Sequence, residues 1–291
     1  MTSLELVQRA LPTWNGRLAA HDICYNGDGH PHRAIPYDPT NLSVALTKAK
    51  LAKSDGVTLI IGTWQGPYAP SCHAAATAMS TACTTLGMQF ALLIDPWCAK
   101  LSPHGADTSY TANVTAALQY ASTVGMLNAT SYCPEKYILD FNSGADLGAL
   151  AKTFPQYKFL AQGQGFSWIS VPAVADSAAR NASAVGNLKS QHTNPAMKVA
   201  SFCASFNDAG MPLPTGVQAQ TQVTGRDYSQ SVWGGPARIL DSFAGQFAQQ
   251  QLATINPATP IVAIVSWADY DEQSSGPREK VVAEEQGVSW T

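Results

Sequence analysis

The feature that most constrains this chain is a rhythm. Short apolar runs recur along it, each ending in a polar or aromatic residue and each followed by a loop and a stretch with helical spacing. The runs are RLAAHDICY (17–25), GVTLIIGTW (56–64), MQFALLIDPW (88–97), KYILDFNSG (136–144), YKFLAQGQG (157–165), MKVASFCASFNDAG (197–210), a weaker VQAQTQVTGRDY (217–228) and PIVAIVSWADYDE (260–272). Runs that are apolar throughout, rather than at alternate positions, suit parallel strands covered on both faces.

The intervening segments read as helices. In NLSVALTKAKLAK, the residues Leu42, Ala45, Leu46, Ala49 and Ala52 share one face, and Asn41 is placed to cap the helix start. CHAAATAMSTACTTLG, SYTANVTAALQYAS and GPARILDSFAGQFAQQQL (235–252) carry similar stripes, and Asp146 reads as a cap after FNSG. Strands alternating with helices over 291 residues predict a (β/α)8 TIM barrel, an α/β fold with residues 1–291 as a single domain. A doubly wound open sheet is the alternative. It normally carries a Gly-rich phosphate loop after an early strand, and no such loop is present.

Composition narrows the partners. Charged residues make up 13% of the chain and the net charge is −3, so nothing in the electrostatics favours nucleic acid or an anionic membrane. No apolar run reaches the length of a membrane span. The opening MTSLELVQRALPTW lacks the basic and apolar regions of a signal peptide, which leaves the location of the protein open. The six cysteines form no CxxC pair and no zinc spacing. Most lie in apolar segments and read as buried thiols. No Walker loop, HExxH or nucleophile elbow appears, so neither a metal nor another cofactor is expected.

In a barrel of this kind, functional groups gather at the C-terminal ends of the strands. Those positions hold His21 and Asp22, Thr63 and Trp64, Asp95 and Trp97, Asp140 and Asn142, Gln162 and Gln164, Asn207 and Asp208, then Asp269, Tyr270, Asp271 and Glu272. Singly, each also has a structural reading as a helix cap or barrel closure. Together they suit a carbohydrate: hydroxyls for Asp and Asn, and a flat C–H face for Trp or Tyr. Paired carboxylates can cleave a glycosidic bond, one protonating the leaving oxygen while the other acts as base. The alternative for Asp271 and Glu272 is a solvated loop near Arg278 and Lys280.

The stretch SWADYDEQSSGP (266–277) resembles the last-strand signature of glycoside hydrolase families 71 and 99, in which two catalytic acids stand three residues apart. The matching positions are Asp269 and Glu272. DGVTLIIGTWQGP (55–67) is similar to the second-strand segment of family 99, and SFCASFNDAG (201–210) to its acidic segment after strand six. The resemblance implies a barrel hydrolase of an α-linked polysaccharide or glycan, endo-acting and metal-free. It implies Asp269 as base or electrostatic partner and Glu272 as general acid; their shared position at the strand ends, apart from the resemblance, sets Asp22, Trp64, Asp95, Trp97, Asp140, Asn207, Asp208 and Tyr270 around the sugar. Ala268 and Gln273 depart from the family pattern. They keep a second reading open: a barrel that binds carbohydrate without cleaving it.

Overall fold

The computed structural model describes residues 2–22, 38–100, 109–169, 177–203, 206–207, 239–240 and 246–265; the side chains of Trp97 and Asn207 are not among what it describes. In chain order the elements are α1 (Ser3–Ala10), β1 (Arg17–Asp22), α2 (Leu42–Ser54), β2 (Leu59–Trp64), α3 (Pro70–Thr85), β3 (Gln89–Ile94), α4 (Pro96–Lys100), α5 (Tyr110–Thr123), β4 (Tyr137–Asp140), α6 (Leu147–Thr153), β5 (Lys158–Ala161), α7 (Ser177–His192), β6 (Val199–Phe202), β7 (Phe206–Asn207), β8 (Ile239–Leu240), α8 (Gln246–Leu252) and β9 (Ile261–Ile264).

Local chemistry sets the helix starts. Asn41 accepts a hydrogen bond from the Ser43 amide at 2.9 Å, and Asp146 accepts from the amides of Gly148 and Ala149, so both expected caps are present. Thr2 and Glu5 form a reciprocal capping box on α1. Pro70 opens α3, where its missing N–H costs nothing. Of the helix expected over 235–252, Gln246–Leu252 is helical, whereas Ile239–Leu240 pairs antiparallel with Phe206–Asn207.

Seven strands form one parallel sheet in the order β5-β4-β3-β2-β1-β9-β6. Leucine, isoleucine and valine fill it on both faces; Leu18, Leu59, Ile60, Leu92, Ile94 and Ile138 are all fully buried. Gly62 is required in β2, since a Cβ there would stand 2.7 Å from the Phe90 ring. Val217–Tyr228 lies outside the described residues, and its expected place between the sixth and eighth runs is taken: β6 pairs directly with β9, Val199 opposite Ile261. The member between the fifth and sixth runs is instead a short segment the sequence reading missed. Phe166 bridges in parallel to Gln162 at the end of β5 and to Val199 at the start of β6, so the two sheet edges are linked through it. The result is a curled parallel α/β sheet with helices on its outside.

The cysteines Cys72, Cys83, Cys98, Cys133 and Cys203 are buried as thiols, as expected, and burial pushes the pKa of Cys83 and Cys98 far up. Among the described residues, no helix is long and apolar enough to cross a membrane, and no group of three or more His, Cys, Asp or Glu could hold a metal ion.

Candidate active site

Because the strands are parallel, their C-terminal ends share one edge of the sheet, and alternation decides what each end presents. The imidazole Nε2 of His21 lies 2.7 Å from Thr63 Oγ1, which puts both residues on one face. The next residue of each strand turns the other way. Asp22 pairs with Lys48 of α2 at 2.5 Å, and the Trp64 indole N–H donates to His73 Nδ1 of α3 at 3.1 Å. The helices therefore cover the face of Asp22 and Trp64, while His21 and Thr63 look into the curl. Register extends this to Asp140, which aligns with Ile94 and, through it, with Trp64.

Two sequence expectations change in consequence. Trp64 is fully buried against α3, so it has no open ring face for stacking a sugar. The Asp22 carboxylate is engaged by a helix cation behind the sheet instead of facing the interior. Asp140 is also buried. One oxygen accepts from the Ser143 amide at 3.3 Å, the other has no hydrogen-bond partner among the described residues, and burial raises its pKa. Asp95 is buried immediately after β3, and its field helps raise the pKa of the Cys98 thiol. Trp97 and Asn207 are described by backbone alone, in α4 and β7. Asp208, Asp269, Tyr270, Asp271 and Glu272 lie outside the described residues.

What the fold does bring together on the inner face includes Trp168, which the sequence reading did not single out. Its ring centroid lies 4.8 Å from that of His21, edge-on, and 4.7 Å from that of Phe141, with Phe166 at 6.4 Å. His21 is the penultimate residue of β1 and Phe141 follows β4, three strands away in the sheet, so one indole spans the curl. The Trp168 backbone is held on both sides by Gln191, whose amide accepts from its N–H and donates to its carbonyl, each at 3.0 Å. Nearby strand ends add a neutral amide pair: Asn142 Nδ2 donates to Gln162 Oε1 at 2.6 Å, with Asn142 in the left-handed region at φ 55. The signal for Trp168 in the sequence was GFSW, a short apolar segment with no helical or strand period of its own.

His21 is enclosed, and burial lowers its pKa to about 3, so the ring is neutral at physiological pH. Its Nδ1 meets no hydrogen-bond partner among the described residues.

A second histidine is tied into the framework. Ser167 Oγ lies 2.9 Å from His192 Nε2, and His192 Nδ1 lies 2.6 Å from Thr254 Oγ1. The Thr254 hydroxyl donates to the Gln251 carbonyl, so His192 Nδ1–H donates to Thr254 and Nε2 accepts from Ser167. This Ser–His contact is not a nucleophile and base. Ser167 is fully enclosed, its oxygen accepts from the Ser201 amide at 2.7 Å, and the imidazole Nδ1 is backed by the Thr254 hydroxyl in place of a carboxylate. The network fastens the segment around Phe166 to β6 and α7.

No protein-family model matches the chain, and no curated protein matches it. Among solved structures, it is similar to the GH99 endo-alpha-mannosidase from Bacteroides thetaiotaomicron, with a TM-score of 0.56 and 12% identity over 90% of this chain and 87% of that one. The same enzyme in complex with BIS-TRIS-propane gives 0.56 and 14% identity over 90% and 86%. A glycoside hydrolase-like protein gives 0.57 and 9% identity over 94% of each chain. At such identities the shared property is the fold: the curled parallel sheet of this chain is built like that of the GH99 endo-alpha-mannosidase.

Proposed function

We propose that this chain is an endo-acting glycoside hydrolase of an α-linked polysaccharide or glycan. Residues 1–291 form a single (β/α)8 barrel in this reading, with Gly165–Ile169 as the eighth member. The observation that carries it is the pairing of the fold with the last strand. The sheet is built like that of an endo-alpha-mannosidase, and β9 of that sheet leads in sequence into Asp269 and Glu272. Asp269 acts as base or electrostatic partner and Glu272 as general acid. Asn142 and Gln162 offer neutral amides to sugar hydroxyls at the same end of the sheet. Asp95, Asn207, Asp208, Trp97 and Tyr270 complete the surroundings of the substrate in this reading, each by its position at or after a strand end, whereas Asp140 shares the helix-covered face of Trp64.

Product analysis on α-linked mannans and glucans tests the reading. Release of new reducing ends by the wild type is expected. Glu272→Gln removes most turnover of a natural glycan, about 100- to 10,000-fold, yet spares substrates with activated leaving groups, which need little protonation. Asp269→Asn impairs both kinds. Wild-type kcat in both variants on a cleaved substrate rules the assignment out. Ala268 and Gln273 favour a second reading, a barrel that holds carbohydrate without cleaving it. Binding with no release over long incubation is its signature.

A further inference from the structure

We infer that His21 and Trp168 form a sugar-binding subsite on the inner face of the sheet, with the His21 ring as the hydroxyl-recognising group and Trp168 as the stacking surface for a neutral pyranose of an α-linked glycan. The inference rests on the glycosidase reading above and gives its substrate a point of attachment in which Trp168, unmarked by any periodic signal in the sequence, is paired with a strand-end histidine.

Three observations carry it. First, His21 is 2% exposed, and among the described residues only one of its two ring nitrogens has a hydrogen-bond partner. Either tautomer leaves Nδ1 as an enclosed donor or an enclosed acceptor, and buried polar atoms are rarely left so. A ligand hydroxyl, which both donates and accepts, answers either case. Second, the neutrality of the ring suits an uncharged partner, since no charge must be buried with it. Third, Trp168 touches His21 edge-on and remains partly exposed, while Gln191 fixes its backbone. A rigid indole beside a single hydrogen-bonding group is the pairing that holds a pyranose, the ring on its C–H face and the nitrogen on a hydroxyl. The order of the chain explains the placement. His21 faces inward because Asp22 is drawn to Lys48 behind the sheet.

The test uses the full chain titrated with an α-linked mannotetraose and an α-1,3-linked glucotetraose, read by calorimetry and by indole fluorescence. His21→Phe keeps the ring volume and its packing on Trp168 but removes both nitrogens. His21→Asn keeps a polar group close to the position of Nδ1. The wild type is expected to bind one of the two sugars with a change in fluorescence. His21→Phe weakens that binding about tenfold while its Tm stays level or rises, and His21→Asn retains more of the affinity than His21→Phe. If His21→Phe binds as the wild type does while its Tm rises, His21 is a core residue with an orphaned nitrogen and the inference is overturned. If the wild type binds neither sugar, the glycosidase reading fails and the subsite falls with it. The two failures differ in whether the wild type binds.

Discussion

Lys48 Nζ lies 2.5 Å from Asp22 Oδ1, and both side chains are almost entirely shut off from solvent. The pair ties the end of β1 to α2 and so fixes which residue of the His21–Asp22 step looks inward. Removing one partner from a buried pair strands the other charge. Lys48→Met is therefore expected to cost about 3–5 kcal/mol in urea unfolding. Asp22→Asn in the same chain should restore much of that loss. A Lys48→Met protein as stable as the wild type would show the pair to be inconsequential.

Trp64 is expected to behave as framework. Trp64→Ala empties a fully buried site and should lower stability by about 3–5 kcal/mol. Trp64→Phe loses the hydrogen bond to His73 and should cost less. Neither should change glycan binding per folded molecule. Denaturation paired with active-fraction titration separates the two effects, and a selective loss of binding would return Trp64 to the site.

Acid should destabilise the fold through its buried histidines. Burial lowers the pKa of His21 to about 3 and that of His192 to about 4, while the unfolded chain titrates near 6.5. The stability they contribute is complete above pH 6.5 and is lost as pH falls toward those lower values, by up to about 1.4 kcal/mol per pH unit for each ring. His192→Gln should flatten the stability–pH curve between pH 6 and 4. It should also lower Tm at neutral pH, because the ties to Ser167 and Thr254 are weakened. An unchanged slope would count against the neutral, buried state of His192.

Asp140 should act with the opposite sign. Its pKa is raised by burial, so the folded state holds its proton to higher pH than the unfolded chain does. Its contribution is most favourable below the unfolded pKa and declines as pH rises through the folded one. Asp140→Asn is thus expected to match or exceed wild-type Tm at pH 7 and to lose that advantage at pH 4. Thermal scans at the two pH values check it.

The alternation of parallel strands and helices was legible in the sequence because strands buried on both faces must be apolar throughout, and helices must carry a stripe. The caps at Asn41 and Asp146 were legible for the same local reason: a side-chain oxygen beside unpaired amides acts within one turn. Buried thiols followed from the apolar context of the cysteines. What the sequence could not give was the phase of each strand end. A run that is apolar on both faces carries no polar alternation to mark inside from outside, so Asp22 and His21 were equal candidates for the interior. Only the packing of α2 and α3 decided between them, by placing Lys48 and His73 where they meet Asp22 and Trp64. Strand neighbours were equally beyond local reach. The pairing of β6 with β9, and the bridging role of Phe166, depend on contacts between segments far apart in the chain, and no local periodicity encodes these. For Trp168 the reason is the same: it earns its place by touching residues of β1 and just past β4 at once, and only a sheet curled on itself brings those ends together.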